Sequence, residues 1–277
     1  MPPRHFARVL SALATAAASI AASSAASAQP SPALDRLSIW LGGYYASNDT
    51  TVTAQGSGTF AGIAGKLSFE NDLGFEKHNV NPRARLDFLL GDSQGFSFDY
   101  YQIHRDRSAS YAQAIPQLGT DVGAHLDSTL DYDFGSVSYT GWLGHARDVF
   151  GLGLGAAYYR VDFRANGSAH VGDQAASASA SYDDSAWAPM LTLGWRHAFD
   201  AHWRMYANAA GVKKNGGPLS GHIWNAALGL EWFPWQKLGF ALEYSASRLR
   251  LEKDYPQGTA KLDLQSDGPA LYLRARF

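Results

Sequence analysis

The last eight residues of the chain read "ALYLRARF", from Ala270 to Phe277, and alternate between small or apolar and more polar side chains. Successive side chains of an extended strand point to opposite faces. One face would carry Leu271, Leu273, Ala275 and Phe277, and the other would carry Tyr272, Arg274 and Arg276. The stretch therefore predicts a strand with one apolar face and one charged face, which runs to the final residue.

Nine further segments show the same two-residue alternation, each bounded by turn-forming residues. They span residues 37–45, 82–90, 96–104, 128–143, 149–159, 187–195, 203–209, 222–232 and 237–244. Within 128–143 the alternation changes phase near Gly135, which predicts a β-bulge there. The sequence thus predicts about ten strands, with eight or twelve as alternatives, and almost no helix.

The predicted connections alternate in length. Short turns are expected at 91–95, 144–148, 197–202 and 233–235, and long loops at 47–78, 106–126, 165–180, 213–220 and 252–262. Outer-membrane barrels have short periplasmic turns and long extracellular loops, and an even strand number leaves both termini in the periplasm. The pattern predicts an all-β fold, a closed antiparallel up-and-down transmembrane β-barrel in the outer membrane of a Gram-negative bacterium.

The polar face of the predicted strands is too rich in charge for a dry core. Its charged residues are Arg83, Arg85, Asp87, Asp99, Arg204, Glu231, Glu243, Arg274 and Arg276. They suit an ion-paired or wet lumen, with the apolar faces in lipid. Interfacial aromatic girdles are expected at Tyr44, Tyr45, Trp187, Trp195, Trp224 and Trp232. Because small barrels are largely filled by side chains, we expect a plugged lumen, with a narrow porin-like channel for small solutes as the alternative.

Residues 1–28 have the layout of a secretory signal peptide. Arg4 and Arg8 precede a short apolar run, and Ala26 and Ala28 frame a small-residue cleavage site. We expect cleavage after Ala28, which leaves residues 29–277 as one barrel domain. The chain has no Cys, and 23 Lys and Arg against 25 Asp and Glu give a net charge of −2. This composition excludes a disulfide framework and argues against a nucleic-acid partner.

The C-terminal "LYLRARF" resembles the terminal strand of outer-membrane β-barrel proteins, which ends in Phe after apolar residues at every second position. In those proteins the barrel-insertion machinery reads this strand, so the resemblance implies an assembly signal at Leu271, Leu273 and Phe277. Residues 67–88, "LSFENDLGFEKHNVNPRARLDF", look like a segment of poorly characterised proteobacterial outer-membrane barrels. Neither motif carries a known chemistry.

Few residues suggest catalysis. Ser220 and His222 lie close together, with Asp183 and Asp184 near another predicted outer loop, so an outer-leaflet lipid hydrolase is a further alternative. The G-x-G-x-x-A letters that begin at Gly151 precede more strand instead of a helix, which argues against a dinucleotide site. The histidines are scattered singly. We predict no enzyme activity, no catalytic residue, no cofactor and no metal site.

The sequence favours a monomeric, non-enzymatic integral outer-membrane protein with a structural or surface-interaction role. Its expected partners are outer-membrane lipid and lipopolysaccharide, and the barrel-insertion machinery during assembly. The charged lumen residues bear most directly on this prediction, since they decide whether the barrel conducts.

Overall fold

The computed structural model describes residues 31–56, 64–72, 74–115, 120–171, 174–214, 219–255 and 258–277. The predicted signal peptide, residues 1–28, lies outside the described residues. The strands are β1 (Leu37–Gly56), β2 (Ala64–Ser68), β3 (His78–Leu90), β4 (Gln94–Ile115), β5 (Thr120–His145), β6 (Asp148–Val171), β7 (Gln174–Ala198), β8 (Trp203–Lys214), β9 (Leu219–Trp232), β10 (Leu238–Tyr255) and β11 (Gly258–Arg276). No helix within these ranges is long and apolar enough to cross a membrane.

The strands form one antiparallel sheet that closes on itself, because β11 pairs with β1. Both β2 and β3 pair with β1. Strand β3 pairs with residues 37–47 of β1, and β2 pairs with residues 51–55 of β1. These two strands therefore share one position around the ring, one above the other, and the eleven strands occupy ten positions. The predicted closed up-and-down barrel of about ten strands is confirmed.

The C-terminal strand closes the ring. The backbone N–H of Phe277 donates to the carbonyl of Leu37 at 2.8 Å, and the N–H of Leu37 donates to the carbonyl of Phe277 at 3.2 Å. Leu271, Leu273 and Phe277 are exposed on the outer surface, whereas Tyr272 is buried inside. Closure leaves no strand edge with unpaired amides facing lipid, which would be costly.

The four turns predicted to be short all lie at one end of the barrel, which we call the lower end. They connect β3 to β4, β5 to β6, β7 to β8 and β9 to β10 at residues 91–93, 146–147, 199–202 and 233–237. The described residues begin and end at this same end, since Leu37 bonds to Phe277. The predicted turns are thus confirmed in position.

At the upper end the predicted long loops prove to be mostly strand. The strands β5, β6 and β7 contain 26, 24 and 25 residues. A strand needs only about 9–11 residues to cross a bilayer. Sequence reasoning assigned residues 106–126 and 165–180 to loops because their small polar residues resemble loop sequence. In the structure the described parts of these segments, residues 106–115, 120–126, 165–171 and 174–180, are strand and extend the barrel wall upward.

The predicted bulge at Gly135 is wrong. Gly135 pairs with Tyr100 on β4 and with Tyr158 on β6. On both sides of Gly135 each residue of β5 pairs with a single residue of β4 and of β6, so neither ladder contains an extra residue. What changes there is the environment. Below Gly135 the apolar side chains, such as Tyr139, point outward, and above it apolar side chains, such as Phe134, point inward. The strand keeps its register while its surroundings change from lipid to water.

The same inversion occurs all around the barrel and defines two halves. In the lower half an outward apolar belt comprises Leu41, Tyr45, Tyr139, Leu143, Phe150, Leu152, Leu154, Trp187, Leu191, Leu193, Trp224, Leu228, Leu230, Leu242, Tyr244, Leu271 and Leu273. In the upper half an inward apolar core, the upper core, includes Phe69, Ile103, Leu130, Tyr132, Phe134, Tyr159, Val161, Met190, Ile223, Leu249, Leu251 and Leu264. Tyr44, predicted as a girdle residue, is instead buried in the lumen, because the alternation along β1 directs its side chain inward.

Candidate functional site: the lumen of the lower half

Glu243 on β10 is the centre of a polar network inside the lower half. Its side chain is 1% exposed. The Arg83 guanidinium donates to Oε1 at 3.1 Å, and the Tyr206 and Tyr272 hydroxyls donate to Oε2 at 2.7 Å and to Oε1 at 3.3 Å. A buried carboxylate is stable only with such compensation.

Asp99 on β4 joins two arginines of β3 to this network. Arg83 donates to it through Nε at 3.0 Å and Nη2 at 2.6 Å, and Arg85 donates through Nε at 3.3 Å and Nη2 at 3.1 Å. Asp99 and Arg85 are directly paired in the ladder, so their side chains meet on the inner face. Two arginines and the carboxylates of Asp99 and Glu243 leave this cluster without net charge.

An aromatic layer fills the lumen beside these ion pairs. The Trp40 ring packs edge-on against Tyr206 at 5.5 Å and against Tyr272 at 5.8 Å between ring centroids. The guanidinium of Arg85 lies 5.3 Å from the centre of the Trp40 ring on one side, and that of Arg274 lies 4.1 Å from it. All three rings are buried. They occupy the cross-section that a solute would need.

A third set of contacts closes the lower mouth. Residues 31–36 enter it ahead of β1, with Ala33 and Leu34 buried against the barrel wall. The Asp35 carboxylate lies between Arg204, whose Nη1 is 2.9 Å away, and Arg274, whose Nη2 is 2.7 Å away. This segment therefore inserts into the mouth through charge pairing as well as through apolar packing.

All the charged residues singled out for the lumen have their side chains inside the barrel or at its lower mouth. Arg274 contacts Glu231, and Asp87 accepts from Trp40 Nε1 at 2.9 Å. Arg276 lies at the mouth, where its guanidinium is 3.8 Å from the centre of the Phe233 ring. The remaining predicted members, already placed above, are Arg83, Arg85, Asp99, Arg204 and Glu243.

Sequence reasoning missed two members of the lumen network. Arg196 on β7 is buried, with Glu231 at 3.8 Å and Asp87 at 4.0 Å. Leu193 and Trp195 point outward, so the strand alternation places the side chain of Arg196 inside. The alternation could therefore have identified Arg196 as a lumen residue. Asp35 carries no such signal, because it precedes the first alternating segment.

Two of the cavities inside the barrel lie next to the upper core. One of about 120 Å³ separates the charge network from the upper core, since Arg83 and Phe134 both line it. The other, of about 210 Å³, lies within the upper half and is almost wholly apolar. We call it the upper chamber; its lining includes Val52, Phe69, Leu130, Val161, Phe163, Leu251 and Leu262.

The residues considered for hydrolysis do not come together. Ser220 and His222 line an outer groove on β9. Asp183 instead pairs with Arg160 at 2.8 Å, and Asp184 pairs with Lys253 at 2.6 Å. The two aspartates thus pair with basic residues, and the four side chains form no triad.

A different serine, histidine and aspartate are linked on the outer wall of the upper half. Ser110 Oγ lies 2.7 Å from Nδ1 of His125, and Nε2 of His125 lies 2.9 Å from Asp127. Backbone N–H groups of a strand lie in the plane of the sheet, so they do not gather toward a substrate on its face. The order of these groups is that of a charge relay, but the wall residues described around Ser110 and His125 present no pair of N–H groups as oxyanion donors. Among the described residues, no group of three or more His, Asp or Glu side chains is arranged to hold a metal ion.

Comparison with known proteins places the fold. No protein-family model and no curated protein matches the chain. The outer membrane protease OmpT from Escherichia coli superposes with a TM-score of 0.59 at 12% identity, over 87% of this chain and 96% of that one. A Pseudomonas aeruginosa FadL homologue aligns over 89% of this chain and 93% of its own, at 12% identity. The outer membrane protein OprG from the same organism aligns over 89% of this chain and 99% of its own, at 11% identity. Their TM-scores of 0.35 and 0.36 are too low to support an argument.

The outward belt has the lipid-facing character of this class of barrel. The chain has the fold of a bacterial outer-membrane β-barrel protein, and it lies in the outer membrane of a Gram-negative bacterium.

Proposed function

We propose that the protein is a non-enzymatic, non-conducting outer-membrane barrel whose role is structural or is exerted by its surface-exposed upper half. The observation that carries this proposal is the continuous closure of the lower lumen. Paired charges, the aromatic layer and the inserted residues 31–36 lie one below the other. A mobile ion would have to displace arginines that each have buried carboxylate partners.

Planar-bilayer recording of the purified protein tests the closure. We expect no stable unitary currents from the wild type. The double variant Trp40→Ala/Tyr206→Ala removes two rings of the aromatic layer and should raise the leak. The matched variant Trp224→Ala/Trp232→Ala removes two rings from the lipid-facing side and should leave it unchanged. Stable wild-type currents that vanish when Arg83 or Arg85 is neutralised would establish the alternative, a narrow channel for small solutes.

The absence of catalysis is part of the proposal. It is supported by the separation of Ser220 from Asp183 and Asp184, and by the exposed setting of the Ser110 group. Incubation of purified protein with outer-membrane lipid should yield no deacylated or cleaved product. Product that disappears in Ser220→Ala, His222→Ala or Ser110→Ala would refute this part.

A second function is favoured by the upper chamber, which suits a small apolar ligand. Genuinely apolar cavities of about 150 Å³ bind molecules such as benzene, so 210 Å³ is ample. Fluorescence of 1-N-phenylnaphthylamine should rise on binding to the wild type and fall when Val161→Phe fills the chamber. Val137→Phe adds the same ring on the outer face of β5 and serves as the control. Equal fluorescence from both variants would refute chamber binding.

A further inference from the structure

The outer wall of the upper half distributes its charges unevenly. The face formed by β4 to β7 carries six aspartates and two arginines among its described outward side chains. They are Asp106, Asp127, Asp131, Asp133, Asp162, Asp183, Arg160 and Arg164. The opposite face, formed by β8 to β11 with β1 and β2, contains a groove of about 770 Å³, which we call the outer groove.

The outer groove has more positive than negative charge. Five Lys and Arg side chains line it against three carboxylates. The basic members are Lys66, Lys213, Arg248, Arg250 and Lys261, and the acidic members are Asp49, Glu252 and Asp263. Barrel closure does not require this excess, because the charged residues of the lining lie at outward positions of their strands. The groove is therefore a candidate for binding an anion.

Pairing within the outer groove leaves basic groups available. Asp263 is shared by two arginines, at 2.7 Å from Arg248 and 3.1 Å from Arg250. The hydrogen bond from Arg248 is the main reason that the pKa of Asp263 lies below its ordinary value, so this carboxylate is charged at neutral pH. No carboxylate among the described residues lies within ion-pair distance of Lys66 or Lys213. Asp49 also lies near Arg248, and Glu252 pairs with Lys261, so the excess belongs to the lining as a whole. Five basic residues against three carboxylates leave two positive charges, which a phosphate, with about −1.5 to −2 charges, would balance.

The outer groove begins just above the lipid-facing belt. On β9, His222 follows two residues above the exposed Trp224, and on β10, Arg248 lies four residues above the exposed Tyr244. At about 3.3 Å per residue these positions are roughly 7 and 13 Å further along tilted strands. The headgroup layer extends about 5–8 Å beyond the hydrocarbon core on each side. Strands tilted by about 35–45° reduce these distances to roughly 5 and 10 Å along the membrane normal. Phosphates of outer-leaflet lipids would thus lie at the lower edge of the groove.

We propose that the outer groove binds the phosphorylated headgroup of an outer-leaflet glycolipid, with Lys213, Arg248 and Arg250 contacting phosphate. The acyl chains of that lipid lie along the belt beneath, between Trp224 and Tyr244. The expected contact with lipopolysaccharide thereby acquires a specific place on the barrel. This inference is independent of whether the lumen conducts.

The test uses full-length protein in phosphatidylcholine vesicles with 5 mol% bisphosphorylated lipid A. Lipid retained after extraction into detergent is counted by native mass spectrometry. The triple variant Lys213→Ala/Arg248→Ala/Arg250→Ala should retain at least about tenfold less lipid A than the wild type, as expected for three basic side chains near an anionic surface. The double variant Arg160→Ala/Arg164→Ala removes basic charge from the opposite face and should retain wild-type amounts.

Two further arms identify the ligand. Vesicles with dephosphorylated lipid A should give little retention, which assigns binding to phosphate. Inorganic phosphate at millimolar concentration should compete weakly, because it lacks the acyl chains that contact the belt. Equal retention by the triple variant and the wild type, equal loss in both variants, or full displacement by inorganic phosphate would overturn the proposal. If the triple variant does not show the heat-dependent gel shift of a folded barrel, Lys213→Ala alone replaces it, with an expected severalfold loss.

Discussion

Removal of Asp99 should destabilise the barrel, because two buried arginines depend on its carboxylate. Asp99→Ala takes away four hydrogen bonds, two from Arg83 and two from Arg85. The side chains of both arginines are about one-tenth exposed, so water offers little replacement. Arg83 keeps its contact with Glu243 at 3.1 Å, but Arg85 is left with Glu243 at 3.7 Å. One guanidinium therefore remains buried without a close partner.

Loss of one partner from a buried ion pair typically costs about 3–5 kcal/mol. Because Glu243 still serves both arginines, we expect a loss near the lower end, about 3 kcal/mol in the free energy of unfolding. The double variant Asp99→Leu/Arg85→Met removes one charge of each sign and leaves the Arg83–Glu243 pair intact. Apolar replacement of a buried pair is often neutral, so this variant should recover most of the loss.

Unfolding by guanidinium chloride in lipid vesicles, followed by tryptophan fluorescence and by heat-dependent gel mobility, measures these differences. Ser97→Ala is the control, because Ser97 lies on the same inward face of β4 two residues from Asp99. It should change the free energy of unfolding by less than about 1 kcal/mol. If Asp99→Ala and Ser97→Ala unfold at the same denaturant concentration, the lumen ion pairs do not stabilise the barrel and the reasoning fails.

Three further predictions concern packing, assembly and pH. Gly229→Ala places a methyl group on the Tyr206 ring and should cost about 1–3 kcal/mol in unfolding free energy, whereas Gly211→Ala, with open space around it, should cost less than half of that. Phe277→Ala removes the final outward aromatic residue and should lower the heat-modifiable folded fraction in isolated outer membranes; an unchanged fraction would contradict an assembly role. Asp200 accepts backbone N–H bonds within its own lower turn, which lower its pKa below the ordinary 3.8. The stability advantage over Asp200→Asn should therefore be full near pH 7 and shrink as pH falls below 3.8, and a pH-independent difference would refute it.

Strand alternation was sufficient to predict the part of the barrel that lies in lipid. Lipid outside and a polar lumen inside impose a strict two-residue period, so residues such as Leu271 and Arg274 could be assigned to faces directly. The upper half obeys the same period with the opposite sense, and its small polar residues conceal it. At Gly135 this reversal led to the incorrect prediction of a bulge. The sequence pattern shifts by one residue both when the surroundings of a strand change from lipid to water and when an extra residue is inserted.

The closure of the mouth could not be read from the sequence for a different reason. Asp35 acts through Arg204 and Arg274, which are 169 and 239 residues away in the chain. No local period encodes such a contact, which depends on where the barrel brings distant strands together. Arg196 is intermediate, since its inward side follows from alternation but its carboxylate partners do not.

The length of the strands argues for where the protein acts. A barrel that served only as a membrane anchor would need about ten residues in each strand, yet β5 to β7 have more than twice that number. The additional residues bury their own apolar core, so the upper half is a packed unit outside the membrane and not a set of loops. In the proposed orientation the lower half, filled by paired charges and rings, holds this unit at the cell surface. We therefore expect the function to reside in the upper half, in its chamber and its outer groove.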